Sequence, residues 1–144
     1  MSYRSWDGSE EDVEFSTLAG ETLLSVKMNK NEDEDEILFT GQEKKWKMCH
    51  YQDCCESVLI EEVVGDLNDL IGSPIVRAEE NSNKNENCDD FGASETWTFY
   101  RIATQKGTVM LRWRGQSNGY YSESVSFVQL HNVEDTENDH EKDD

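Results

Sequence analysis

The apolar residues of this chain come in short alternating stretches and never in long runs. Leu24, Val26 and Met28 alternate with Ser25 and Lys27, the two-residue period of a half-buried strand. In the stretch Lys45 to His50, Trp46, Met48 and His50 share one face and Lys45, Lys47 and Cys49 the other. With Ile37-Leu38-Phe39-Thr40 between them and a turn at Gly41-Gln42-Glu43, these segments predict a three-strand meander. Further strands are expected over 57–62, 75–80, 95–104, 107–114 and 120–130. The tetrad Thr104-Gln105-Lys106-Gly107 reads as a hairpin turn in which Gly107 supplies a positive φ. The longest apolar runs, Val58-Leu59-Ile60 and Val109-Met110-Leu111, stop far short of the roughly 20 residues that cross a bilayer as a helix. The segment Met1 to Asp7 has no apolar h-region, so no export signal is expected.

The period changes once. Val63, Val64, Leu67, Leu70 and Ile71 fall on one helical face, with Asp66 as the cap, Gly72 at the C-terminal end and Pro74 beyond it. The expected fold is a β-rich α+β domain: a curved antiparallel sheet of about eight short strands, open or closed into a barrel, with one short helix near 63–71. At 144 residues the chain suits a single domain, read as a globular part over 16–131 between an acidic arm at 1–15 and an acidic tail at 132–144. The Asn-rich stretch 81–94 reads as a mobile polar insertion.

The formal charge is −19, and more than half of the 32 acidic residues sit in the two ends and the run Glu32-Asp33-Glu34-Asp35-Glu36. Such runs are ordinarily solvated, self-repelling chain. They also speed encounter with a basic partner and oppose direct binding to nucleic acid or anionic lipid. The acidic run, together with Asn118, Tyr120 and Tyr121 beside the turn Ser117-Asn118-Gly119, is therefore the candidate partner-binding set, and a protein with a basic surface is the expected partner.

Three of the four cysteines lie in Cys49-His50-Tyr51-Gln52-Asp53-Cys54-Cys55, and the fourth, Cys88, lies in the polar insertion. Without an export signal the compartment is expected to be reducing and structural disulfides are not expected. A ring between neighbouring Cys54 and Cys55 is disfavoured by the geometry of adjacent residues. Cys49, His50, Cys54 and Cys55 have the right donor types for zinc, but their spacing lacks the usual second ligand pair, so Cys88, His131 or a carboxylate would have to complete the set. Core packing is the ordinary fate of such cysteines, and no bound cofactor is expected. A Cys–His nucleophile, with Asp53 orienting His50, is the weakest reading, because Cys49 and His50 point to opposite sides of a strand. No phosphate loop, Gly-x-Ser-x-Gly, His-Glu-x-x-His or dinucleotide fingerprint is present. Finally, Trp97, Phe99, Tyr100, Arg101, Arg112, Trp113 and Arg114 concentrate on one hairpin. Core pairing of the aromatics, with arginines answering the chain's own carboxylates, is favoured over a base-stacking platform; a protein-binding face is the third option.

The strings His50-x-x-Asp53-Cys54-Cys55-Glu56-x-Val58, Gly65-Asp66-Leu67-x-Asp69-Leu70-Ile71-Gly72-Ser73-Pro74-Ile75, Thr96-Trp97-Thr98-Phe99-Tyr100 and Ser117-Asn118-Gly119-Tyr120-Tyr121-Ser122-Glu123-x-Val125-x-Phe127 resemble a family of small domains encoded by bacteriophages, prophages and some bacteria. The similarity runs from about Leu18 to Leu130. It implies a phage or mobile-element setting and a host bacterial cytoplasm, and it carries no catalytic residue to transfer. The expected function is that of a non-enzymatic accessory interaction protein, in its specific form an inhibitor of a host defence nuclease or complex, such as an anti-CRISPR factor. The alternatives are a small Cys/His metal protein, a virion structural or assembly component and, last, a Cys/His-dependent hydrolase.

Overall fold

The two-residue period is realised as nine antiparallel strands among the described residues. The computed structural model describes residues 9–30, 34–52, 54–85, 93–119 and 121–131. In chain order the strands are β1 (Ser9–Asp12), β2 (Leu23–Lys30), β3 (Asp35–Gly41), β4 (Lys45–Cys49), β5 (Ser57–Val64), β6 (Arg77–Asn85), β7 (Ser94–Thr104), β8 (Gly107–Ser117) and β9 (Ser126–His131). They form two sheets, ordered β1-β9-β4-β3-β2 and β5-β8-β7-β6. The expected meander is β2-β3-β4, and the expected hairpin is β7-β8, closed by the pair Thr104 and Gly107. The sheets stay open and do not close into a barrel. Their inner faces meet in one core built from Ile37, Phe39, Trp46, Met48 and Phe127 on one side and Val58, Ile60, Tyr100, Ile102, Leu111 and Trp113 on the other.

Two bulges decide which apolar residues enter that core. Leu23 pairs with Gly41 but Ser25 pairs with Thr40, so Leu24 is the extra residue. It is 55% exposed, and Leu23 takes the inner position in place of the expected Leu24. In β5 the register shifts between Ile60 and Glu62, which turns Val63 inward and leaves Val64 exposed.

This second bulge also removes the start of the expected helix. Val63 and Val64 are strand residues, and Gly65 turns the chain at φ +108°. A side chain there would meet the Thr108 carbonyl at 2.6 Å, so only glycine fits. What remains before Gly72 is one 3-10 turn, Leu67–Leu70, with Asp66 accepting a hydrogen bond from the Asn68 N–H (2.9 Å) as the cap. Leu67 and Leu70 still reach the core, which is why the spacing mimicked a helical face. Gly107 is needed for space and not for a positive φ: its missing Cβ would lie 2.7 Å from Asp69 Oδ2.

Two segment boundaries also move. The acidic arm is interrupted by β1, which pairs along β9 from Ser9–His131 to Asp12–Val128, and Phe15 in the following 3-10 turn is core. Of the polar insertion, 81–85 extends β6, paired with β7 as far as Asn85–Glu95, on an edge strand that needs no buried side chain there. Residues 86–92 and 132–144 lie outside the described residues. Among the described residues no helix is long and apolar enough to cross a membrane.

Candidate functional site

The strand order gathers the candidate residues at one end of the sandwich. Glu36 at the start of β3 pairs with Cys49 at the end of β4, and Cys49 pairs with Ser126 at the start of β9. In the other sheet Ser57 pairs with Gln116, Ser94 with Ser117 and Asn85 with Glu95. The strand ends Lys30, Asp35, Cys49, Ser57, Asn85, Ser94, Ser117 and Ser126 therefore all lie at the same pole. Of the partner-binding set, Glu34 and Asn118 are exposed there, and Glu36 and Tyr121 are half-buried; Glu32, Asp33 and Tyr120 lie outside the described residues.

Asp35 is not part of that surface. It is buried, and its Oδ2 accepts from Lys30 Nζ (2.7 Å) and the Ile60 N–H (2.8 Å), while the Ile60 carbonyl accepts from Lys30 Nζ (2.9 Å). The pair thus occupies both backbone groups of Ile60 and ties the edge of one sheet to the other. Two more carboxylates are buried at the same pole. Glu123 accepts from the hydroxyls of Ser94 (3.1 Å), Thr96 (2.7 Å) and Ser117. It lies against Gly115, where an added Cβ would meet the Glu123 backbone oxygen at 2.7 Å. Glu56 is the third: its Oε2 lies 2.6 Å from His50 Nε2, and its Oε1 accepts from the Cys54 N–H (3.0 Å).

His50 joins the two motif loops. Its Nδ1 is 2.6 Å from the Ser124 carbonyl oxygen, and both His50 and Glu56 side chains are almost wholly buried (5% and 0% exposed). A carbonyl only accepts, so Nδ1 carries a proton and Nε2 faces the carboxylate. The pair has the composition of a catalytic His–carboxylate pair, but the free imidazole edge that a general base needs is taken by a backbone carbonyl. Its role here is to fasten loop 50–56 to loop 118–125.

Two cysteines of the candidate donor set are bonded to each other: Cys54 and Cys55 form a disulfide at the exposed tip of the loop, contrary to the expectation of free thiols. The loop brings their backbones together: Gln52 Nε2 donates to the carbonyls of Cys54 (3.2 Å) and Glu56 (2.5 Å). Cys49 lies on the outer face of its sheet, buried, its thiol pushed up by desolvation. Tyr51 beside it hydrogen-bonds Glu10, and Lys47 Nζ is 3.2 Å from Glu10. Burial works against the Glu10 carboxylate, but the bonds from Tyr51 and Lys47 outweigh it and hold it below its usual range. Among the described residues no group of three or more His, Cys, Asp and Glu side chains is arranged to hold a metal ion. Cys88 lies outside the described residues, and His131 pairs with Glu11 (2.9 Å), away from the cluster.

The aromatic hairpin divides by face. Tyr100 and Trp113 are core, whereas Trp97 and Phe99 stand half-buried on the outer face. Trp97 is flanked by the guanidinium groups of Arg112 (5.1 Å) and Arg114 (5.3 Å). The arginines answer internal acids: Arg112 with Glu62 (2.6 Å), Arg114 with Glu95 (2.5 Å), and Arg77 and Arg101 with Glu79 (3.7 and 4.0 Å).

Fold and site together define a two-sheet antiparallel domain with three buried, hydrogen-bonded carboxylates at one end. A family model described as a domain of unknown function, DUF7448, matches residues 11–127, and the chain belongs to that family. No curated protein and no solved structure matches it.

The sequence reading missed that three carboxylates are buried: it placed Asp35 in the acidic partner-binding run and gave Glu56 and Glu123 no role of their own. The signal was present. Asp35-x-Ile37-x-Phe39, Glu56-x-Val58-x-Ile60 and Glu123-x-Val125-x-Phe127 each place the acid two residues before an inward apolar pair, and hence on the inner face.

Proposed function

We propose that this domain is a non-enzymatic interaction module that binds the basic surface of a protein partner through its loop pole. The observation that carries the reading is the convergence of the strand ends at one pole, where Glu34 and Glu36 line one hollow with His50, Tyr51 and Gln52. Loops displayed by a rigid sandwich are a common architecture for recognition. Charge supports the sign of the partner. Lys30, Lys44, Lys47, Arg77, Arg101, Arg112 and Arg114 each lie within 4.0 Å of one of the chain's own carboxylates, and the chain carries a formal charge of −19. The resemblance to phage-encoded domains supplies the setting, and the specific form of the proposal is an accessory factor that occupies a basic host defence nuclease or complex.

The test is capture of partners by the tagged full chain from phage-infected and uninfected bacterial lysate, washed at low and high salt and read by mass spectrometry. The expected result is a stoichiometric basic nuclease or defence subunit, retained at low salt and lost at high salt. The charge-reversed variant Glu34→Lys/Glu36→Lys should lose it as well, because exposed acids act mainly through screened long-range attraction. A complex indifferent to salt and to that variant, or recovery of virion proteins in stoichiometric amount, overturns the reading.

A further inference from the structure

We infer that Cys54 and Cys55 form a thiol–disulfide exchange site, taking low-molecular-weight thiols as co-reactants, at the tip of the 50–56 loop. Both residues are exposed, so an incoming thiolate has access to either sulfur. The contacts that frame the pair are made by atoms other than the two disulfide sulfurs. Gln52 Nε2 binds the Cys54 and Glu56 carbonyls, Glu56 Oε1 accepts the Cys54 N–H, and His50 anchors Glu56 from the other side. This frame survives opening of the disulfide and keeps the two thiols adjacent for closure. The third nearby sulfur is a contrast within the same segment: Cys49 is buried, and burial keeps its thiol protonated and poorly nucleophilic.

The chemistry balances with two thiols. A thiolate RS⁻ attacks one sulfur of the pair, a mixed disulfide forms, and the other cysteine leaves as a thiolate that takes up a proton. A second RS⁻ attacks the RS sulfur of the mixed disulfide, releases RSSR and leaves the second cysteine as a thiol. Two RSH molecules are oxidised to RSSR, and the pair is reduced by two electrons. The pole thereby has two covalent forms, one with a closed ring and one with two S–H groups.

The probe is glutathione, applied to the native full chain in buffers of fixed reduced-to-oxidised ratio. After acid quenching, alkylation is mapped by fragment ions that separate Cys49 from the pair. Under oxidised glutathione the pair should carry no alkyl group, and under excess reduced glutathione it should carry two. In native protein Cys49 should stay unlabelled in both, with an unchanged far-ultraviolet circular dichroism spectrum. The surface variant Gln52→Ala loosens the frame, and at equal buffer ratio its oxidised-to-reduced ratio should fall roughly threefold to tenfold, the scale of one or two hydrogen bonds. Two free thiols under oxidised glutathione, a stable single glutathione adduct in place of the ring, loss of the fold on reduction, or an unchanged ratio in Gln52→Ala would each overturn the inference.

Discussion

Glu56 separates charge from hydrogen-bonding geometry in a way that a pair of substitutions reads directly. Its carboxylate lies 2.6 Å from His50 Nε2 and accepts the Cys54 N–H at 3.0 Å, with no solvent on the side chain. Glu56→Ala leaves a buried imidazole nitrogen without its partner while Nδ1 stays committed to the Ser124 carbonyl. Breaking a buried pair in this way costs about 3–5 kcal/mol. Glu56→Gln keeps these two bonds: the amide oxygen accepts the Cys54 N–H, and the amide N–H donates to a neutral His50 Nε2. Its cost is the difference between a charge-assisted and a neutral hydrogen bond, about 1 kcal/mol. For a domain of this size 1 kcal/mol moves Tm by about 3–4 °C. Glu56→Ala should therefore melt about 9–20 °C below the parent and Glu56→Gln within about 5 °C of it. Thermal and urea denaturation followed by circular dichroism gives both values. Equal losses in the two variants, or a neutral Glu56→Ala, would refute the latch.

The two buried tryptophans should respond differently. Trp113 Nε1 donates to Met48 Sδ (3.2 Å), whereas Trp46 Nε1 has no hydrogen-bond partner among the described residues. Trp46→Phe relieves an unsatisfied donor, so urea unfolding should show it less destabilising than Trp113→Phe by about 1–3 kcal/mol. Gly115→Ala places a methyl 2.7–2.8 Å from the Glu123 backbone oxygen and Cβ and should cost about 2–3 kcal/mol in the same assay. The Glu80 carboxyl is raised, chiefly by desolvation and also by Glu14, against a smaller opposing bond from Tyr100. A raised acid favours folding in its protonated form, and that contribution is lost as pH climbs through the folded pKa. Glu80→Gln should thus raise Tm at pH 7 and lose this advantage in a melt below about pH 4.

Much of the scaffold was legible because alternation along a strand is a local property. The meander, the β7–β8 hairpin, the Asp66 cap and the Gly72 stop all follow from neighbours within a few residues. The misreadings arise where one residue shifts a register. The bulges at Leu24 and Glu61 exchange inner for outer positions without leaving any mark in composition, and the second turned an apparent helical face into strand followed by a 3-10 turn. The candidate site divided in the same way. The motif segments and their polar character were visible, but the latch from His50 to Ser124 and the tie from Asp35 to Ile60 depend on atoms brought from distant strands, and the disulfide joins two neighbours whose geometry had argued against a ring.

The sequence by itself determined that this chain makes short antiparallel strands and carries a large acidic excess, since period and charge need no partner to be read. Only the tertiary structure decided what the acids do. Asp35, Glu56 and Glu123 sit where the inner face of a strand runs out at the pole, and each is kept ionic or hydrogen-bonded by a group far away in sequence or across a loop: Lys30 and Ile60, His50 and Cys54, Ser94 and Thr96. A buried carboxylate is tolerated only with such partners, and partners are a property of the packed sheets, not of the chain order.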